Sequence, residues 1–222
     1  MDRDARFSAS LPARLSAWSV LLLIAATLAT VGCSLLPTIA YIIEPNDTKA
    51  EFAGLEKKKV AVICRAASIE YAHPTVGRDL AIRVGQMLSR NGKDIEVIDE
   101  RELADWVDKH DWNDYREVGR ALKADMVVGI DLERFEIAQG QTLLQGHAEI
   151  GLVVWDIKKN SKVWEKHPPT VKFPPNSPIA QSDRQEDEFR RQFLGVLSER
   201  IGNYFYAHDS RKQFASDSTV LQ

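Results

Sequence analysis

Residues 142–155 read TLLQGHAEIGLVVW, and this stretch decides the fold. Apolar or small residues occupy every even position from 144 to 154, whereas the first three positions between them carry Gln, His and Glu. Successive side chains of a β-strand point to opposite faces, so this pattern predicts a strand with one face on a core. A polar turn at 156–162 and the apolar pair Val163-Trp164 follow, which together predict an antiparallel hairpin.

Upstream of this hairpin, short apolar runs alternate with helical patterns. KVAVIC at 59–64 is a continuous β-branched run, which is typical of a strand buried on both faces. A helix is expected from Thr75 to Asn91-Gly92, a strand at 95–98, and helices opening at Asp99 and at Asn113 or Asp114. The run 126–137 then predicts a strand with a bulge near Arg134. The order predicts an α/β (α+β) fold: a mixed parallel and antiparallel sheet of about five strands with helices packed on it, in a single domain.

The segment 167–179, HPPTVKFPPNSPI, contains five prolines. Proline cannot donate a hydrogen bond to a sheet, so a loop or polyproline stretch is predicted there rather than a central strand. Apolar residues recurring at helical spacing from Phe189 to Phe205 predict a final amphipathic helix. The polar residues 207–222 are expected to form a flexible tail.

Composition excludes several classes of protein. The chain has 222 residues, of which 44% are hydrophobic and 27% charged, with a formal net charge of −3. Such a chain has enough apolar residues to fold, and it lacks the basic excess that nucleic-acid binders usually carry. We therefore expect a folded protein that does not bind nucleic acid.

The amino terminus reads as an export signal. Arg3, Arg6 and Arg14 precede LSAWSVLLLIAATLATVG at 15–32, an apolar stretch that ends in small residues. The tetrapeptide TVGC ending at Cys33 resembles a bacterial lipobox, in which the cysteine is lipidated and becomes the mature amino terminus. Several acyl chains such as palmitate, each contributing about 0.8 kcal/mol per buried CH₂, would anchor a diacylglyceryl Cys33 in a membrane.

An uncleaved signal anchor is the alternative, because no charged residue occurs between Arg14 and Glu44. Either arrangement places the chain in the cell envelope, facing the periplasm, and Ser34 after the cysteine favours the outer membrane. The predicted organisation is a signal peptide at 1–32, a lipid-proximal tether at 33–58, the α/β domain at 59–206 and the tail.

No catalytic pattern stands out. The five histidines lack metal-ligand spacing, and neither a Gly-x-Ser-x-Gly motif nor a phosphate-binding loop is present. Cys64 lies in an apolar run and is expected to be an inert small hydrophobic residue. We therefore predict neither an enzyme, nor a metal site, nor a cofactor. The alternative is an envelope hydrolase or small-ligand site in the crevice beyond the first strand, using Cys64 or His73.

Three aromatic residues are candidates for partner binding. Trp155 and Trp164 flank the hairpin turn, and Trp155 lies on the parity opposite the buried face. Phe173 lies within the proline-rich segment, which could dock into a partner's groove. Coverage of Trp155 by the last helix, and a proline-rich lid over a sheet edge, are the competing interpretations. A homo-oligomer formed through the sheet edge or hairpin is a further hypothesis.

Four stretches resemble a known group of domains: KKKVAVI at 57–63, IEVIDERELADWV at 95–107, ALKADMVVGIDLERFEI at 121–137 and LVVWDIKKNSKVWEKH at 152–167. They are similar to CsgG-type outer-membrane lipoproteins, the amino-terminal domain of TolB, and LpoB-type lipoproteins, which activate peptidoglycan synthases. The resemblance implies an accessory protein of envelope assembly or secretion rather than an enzyme. The matching positions are Asp99, Arg101, Leu103, Ala124, Asp125, Gly129 and Asp156.

Overall fold

The computed structural model describes residues 47–66, 75–139, 142–180 and 185–209. The predicted signal peptide, Cys33 and His73 lie outside these residues. No helix within the described ranges is long and apolar enough to cross a membrane. The strands are β1 (Asp47–Thr48), β2 (Lys59–Arg65), β3 (Glu96–Val97), β4 (Met126–Gln139), β5 (Leu143–Asp156), β6 (Ser161–Lys166), β7 (Val171–Phe173), β8 (Ile179–Ala180) and β9 (His208–Asp209), and the helices are α1 (Val76–Asn91), α2 (Glu100–Val107), α3 (Tyr115–Ala121) and α4 (Gln185–Gly202).

The main sheet has the strand order β3-β2-β4-β5-β6. β2 pairs in parallel with both β3 and β4, whereas β4, β5 and β6 pair antiparallel. The chain returns from β2 to β3 through α1, as a parallel pair requires. The predicted mixed sheet with helices packed on it is therefore confirmed.

The two faces of the sheet have separate hydrophobic cores. The alternation along β5 is as predicted, since Leu144, Ala148 and Leu152 are all buried on one face. That face packs against α1 and α4. The opposite face carries a smaller core, against which α2 and α3 pack. Because β2 is central and covered on both faces, its apolar run is continuous rather than alternating.

A bulge bends the long hairpin of β4 and β5. The register shifts between Leu132 and Arg134, at the place the sequence predicts, and shifts again between Glu136 and Ala138. The first shift explains why the inward-facing residues of β4 change from even to odd positions. Leu132 and Phe135 both reach the larger core although three positions separate them.

The helix starts follow the capping residues in part. The carboxylate of Asp99 accepts a hydrogen bond from the Arg101 N–H at 2.8 Å, and that of Asp114 accepts one from the Arg116 N–H at 2.8 Å. Thr75 precedes α1 but makes no side-chain cap. Gly92 ends α1, and its N–H donates to the Leu88 carbonyl.

The folded domain begins earlier than predicted. Residues 47–58 belong to the predicted tether, but β1 pairs antiparallel with β9. The Phe52 N–H donates to the Tyr204 carbonyl at 2.9 Å, and Leu55 is completely buried. The prediction of a tether over 47–58 is therefore wrong, because two apolar side chains in a charged stretch are enough to hold it on the core. The predicted tail likewise starts in β9, and its residues from 210 onward lie outside the described residues.

The proline-rich segment covers a sheet edge. Its strands β7 and β8 both pair antiparallel with β5, beyond the end of β6. The predicted loop thus contains two short edge strands, with two of the five prolines before β7 and the other three between β7 and β8. This agrees with the lid interpretation and not with a groove-docking segment, because the Phe173 side chain is buried.

Candidate functional site

A cleft of about 740 Å³ opens beside the carboxyl end of β2, between α1 and α2. It lies at the parallel edge of the sheet, where open α/β sheets usually bind ligands. Residues 62–65 of β2 form its floor, α1 contributes Ala81 and Ile82 to one wall, and α2 contributes Leu103 and Val107 to the other. Its volume falls in the range of known ligand sites.

The floor of the cleft is a strand edge. β3 pairs with β2 at Lys59 and Val60 only, and the last hydrogen bond between them runs from the Ile98 N–H to the Val60 carbonyl at 2.9 Å. In a parallel ladder a residue turns both its N–H and its C=O to the same side. Val60 turns its carbonyl toward β3, and every second residue along β2 faces the same side. The N–H and C=O groups of Val62 and Cys64 therefore point toward the cleft, where no strand among the described residues meets them.

The early end of β3 explains this open edge. Asp99, which caps α2, comes two residues after β3 ends, so the chain turns into a helix beside Val60. β2 and β4, in contrast, run together as far as Arg65 and Asp131. α2 contributes no fully buried residue, although its apolar side chains pack on the smaller core. It therefore lies at the border of the sheet and leaves the space that β3 would have filled.

The rim of the cleft is charged. Arg78 of α1 and Asp108 after α2 form an ion pair of 2.7 Å across it. Glu100 and Asp111 also line the cleft, and neither carboxylate has an ion pair within the described part of the chain. The unpaired charge on the lining is therefore acidic.

A hydrogen-bonded group closes the end of the cleft. Arg65 Nε donates to Asp131 Oδ1 at 2.7 Å, and the Tyr115 hydroxyl donates to the same oxygen at 2.8 Å. The Arg65 guanidinium also lies over the Tyr115 ring, 5.2 Å from its centre. These contacts fix the carboxyl end of β2 and the middle of β4 against α3.

The cleft holds no activated nucleophile among the described residues. Burial, and to a lesser degree the negative charge of Asp131, raise the pKa of the Cys64 thiol well above its ordinary value. The same two causes raise the pKa of the Tyr115 hydroxyl. Both groups therefore stay protonated near neutral pH, whereas a nucleophilic thiol needs a lowered pKa. No cluster of metal-binding side chains occurs in the described ranges.

Trp155 is covered, but by a different helix from the one considered. Its ring is half-buried in the smaller core, and the Arg116 guanidinium lies 4.8 Å from its centre. The last helix, α4, packs on the other face of the sheet. The expectation of an exposed Trp155 is therefore not met, because α3 folds back over β4 and β5.

Trp164 and Phe173 are packing residues. Trp164 is half-buried and lies 5.9 Å from Phe52 and 5.3 Å from Phe205, between ring centres. Phe173 is only 1% exposed, with its ring 5.7 Å from that of Phe189. The prediction that Phe173 docks into a partner is therefore wrong, because its side chain points from β7 toward α4 and is buried there. None of the three aromatics lines the cleft.

Sequence reasoning pointed toward the crevice but missed its floor. Only the hydrolase alternative uses Cys64, through its thiol, whereas the unusual feature of the cleft is the unpaired backbone of Val62 and Cys64. The available signal is length: IEVI at 95–98 is shorter than KVAVIC at 59–64 and is followed at once by the helix-capping Asp99. A short strand beside a longer one leaves part of the longer strand unpaired.

No family model matches the sequence, and no curated protein sequence matches it. Solved structures with a similar arrangement include the PelC dodecamer from Paraburkholderia phytofirmans, with 13% identity, 73% of this chain and 96% of that chain covered, and a TM-score of 0.44. A protein of Xanthomonas campestris has 15% identity, 79% and 97% coverage and a TM-score of 0.44. A lipoprotein of Neisseria meningitidis has 8% identity, 65% and 97% coverage and a TM-score of 0.41. At these values no function is transferred from them to this chain.

Proposed function

We propose that this chain is an envelope lipoprotein, anchored through Cys33, whose folded domain binds a protein partner and does not catalyse a reaction. The lipid holds it on the periplasmic side of a membrane, and Ser34 favours the outer membrane. Its role is accessory, in envelope assembly or secretion, as the resemblance to CsgG-type, TolB amino-terminal and LpoB-type domains implies.

The observation that carries the binding function is the cleft beside β2. It combines a partly apolar lining with backbone groups and two carboxylates that have no strand or ion-pair partner among the described residues. Recognition sites share this composition, in which apolar walls supply affinity and a few polar groups fix orientation. The high pKa of the Cys64 thiol argues against the hydrolase alternative.

The short stretch of chain between Cys33 and β1 supports the same function. Asp47 of β1 follows Cys33 by 14 positions. At ~3.3–3.6 Å per residue, that stretch reaches at most about 50 Å. A domain held so near the membrane meets partners embedded in it or close to it.

The anchor is tested by the mass of the amino-terminal peptide from membrane-purified protein. We expect an acylated peptide that begins at Cys33, and retention of the precursor for Cys33→Ser. The matched control is Cys64→Ser, which keeps the acylated terminus. An unmodified peptide beginning at Met1 would instead identify a signal anchor.

The binding function is tested by a photo-crosslinking residue placed in the living cell at Ala104, a half-buried residue of α2 that lines the cleft. Ala121 is the control, because it is an exposed helical alanine outside the cleft. We expect discrete protein adducts from position 104 and none from 121. Equal labelling at both positions, or none at either, would contradict partner binding in the cleft.

The small-ligand alternative has one observation in its favour, the volume of the cleft. It predicts a bound small molecule by native mass spectrometry of the protein purified from membranes. A retained mass that disappears on Ala104→Arg, together with no protein adduct at position 104, would replace partner binding by ligand binding.

A further inference from the structure

The unpaired edge of β2 has the length of a short strand. Residues 62–65 line the cleft, and at ~3.3 Å per residue they span about 13 Å. Two of these residues, Val62 and Cys64, turn their N–H and C=O groups into it. Val62 is only 4% exposed, so its backbone groups are largely out of contact with water. Buried backbone groups are nearly always paired, and each unpaired one costs ~1–3 kcal/mol.

A strand laid into the cleft would pair all of these groups. It would occupy the place beyond β3, starting after the last bond of β3, which runs from the Ile98 N–H to the Val60 carbonyl. Four or five extended residues fill the available edge. Recognition by strand addition gains affinity from the backbone bonds and specificity from pockets for alternate side chains.

The walls define which side chains fit. Alternate residues of an added strand point to opposite faces of the sheet, one set toward α1 and the other toward α2. Ala81 and Ile82 of α1 and Leu103 and Val107 of α2 give each wall an apolar part, beside polar residues such as Gln86 and Ser89 of α1. Apolar side chains therefore fit in the centre of the segment.

The rim adds a preference for positive charge. Arg65 and Arg78 are already paired with Asp131 and Asp108, at 2.7 Å each. Glu100 and Asp111 remain without an ion pair within the described residues, so a Lys or Arg at the end of the segment meets attraction rather than repulsion. Both carboxylates are exposed, so this attraction is screened by salt.

We propose that the cleft binds an extended peptide segment of the partner as an added strand beside β2. The segment has apolar residues at its centre and a basic residue at its end. This inference rests on the proposed partner-binding function and names its mode and the class of segment recognised.

The test starts from a displayed library of random dodecapeptides, selected on the detergent-solubilised full-length chain. The best enriched peptide is synthesised in two versions, N-methylated at either its odd or its even central residues. N-methylation removes the backbone donors on one edge of a strand and leaves the side chains. We expect one version to lose at least tenfold in affinity and the other to bind nearly as the parent does. Loss in both versions or in neither, or a library without enriched peptides, would overturn the proposal.

Nuclear magnetic resonance supplies an internal control on the protein. Amide hydrogen exchange at Val62 and Cys64 should slow at least tenfold when the parent peptide is bound. The amides of Ala61 and Ile63 point toward β4 and already belong to its ladder, so their exchange should stay nearly constant. Slowing at all four residues, or at none, would indicate a different mode of binding.

Two substitutions complete the test. Ala104→Arg fills the cleft and should lower affinity at least tenfold, whereas Ala121→Arg, at an exposed position of α3, should not. Thermal unfolding of both variants checks that they are folded. Glu100→Gln with Asp111→Asn should lower the affinity only of peptides that carry the basic residue.

If crosslinking at position 104 captures a protein but N-methylation has no selective effect, partner binding stands and strand addition fails. If position 104 captures nothing, the proposed function itself fails.

Discussion

Replacing Phe173 by alanine separates a packing role from a binding role for this side chain. Phe173 lies in the three-residue strand β7 and is 1% exposed. Its ring lies 5.7 Å from that of Phe189 and 6.1 Å from that of Phe193, which stacks parallel to it. Each of these neighbours is itself buried, so the cavity left by the substitution is closed to solvent.

The expected loss follows from this environment. Phe→Ala substitutions in cores cost ~3–5 kcal/mol, which combines lost apolar transfer and the cavity left behind. Two ring pairs add to the loss, since each is worth ~0.5–1.5 kcal/mol beyond its buried area. β7 is a short edge strand that can move inward, so we place the loss for Phe173→Ala at about 3–4 kcal/mol. At ~2–4 °C per kcal/mol for a domain of this size, the melting temperature should fall by about 6–16 °C.

Urea unfolding of the purified chain, followed by tryptophan fluorescence and circular dichroism, measures this loss. Val163→Ala is the control, because Val163 is 36% exposed on β6 and its loss should stay within about 0.5 kcal/mol. A loss below ~1 kcal/mol for Phe173→Ala would refute the assignment of Phe173 to the core. Weaker partner crosslinking with unchanged stability would return it to a binding role.

Three further predictions use other parts of the fold. Gly146→Ala should lower the free energy of urea unfolding by ~1–3 kcal/mol, because the added Cβ would lie 2.6 Å from the buried Phe193 ring. The control Gly195→Ala, whose Cβ would have no atom within 4 Å, should be neutral or stabilising, and equal effects of the two substitutions would contradict this prediction. The pKa of Asp156 is lowered mainly by the hydrogen bond from the Lys159 N–H. Its contribution to stability is therefore present above pH ~4 and is lost as the pH falls through the lowered pKa. Asp156→Asn should lower the free energy of unfolding by ~1 kcal/mol at pH 7, and this difference should shrink in acid. The Cys64 thiol should react with a disulfide reagent at pH 8 at least tenfold more slowly in the folded than in the urea-unfolded chain, and equal rates would mean that its pKa is not raised.

Much of the fold could be predicted from the sequence because its signals are local. The alternation along β5 predicted the face that carries Leu144 and Val154, and a change of parity predicted the bulge near Arg134. Asp99 and Asp114 begin their helices because a carboxylate can accept hydrogen bonds from the first turn wherever the chain lies. The proposed anchor at Cys33 also depends on neighbouring residues alone, since a protease reads a short extended segment.

The tertiary structure decided which side chains are available to a partner. Phe173 and Trp155 are covered by helices that are distant in sequence, so no local pattern distinguishes their burial from exposure. The cleft is likewise non-local: it exists because β3 ends beside Val60 while β2 continues to Arg65. The sequence by itself determined the helices and the longer strands and predicts the export signal, since neighbouring residues set periodicity, capping and cleavage. Only the packing of separate elements determined the open strand edge, because a backbone group is unpaired only relative to strands elsewhere in the chain.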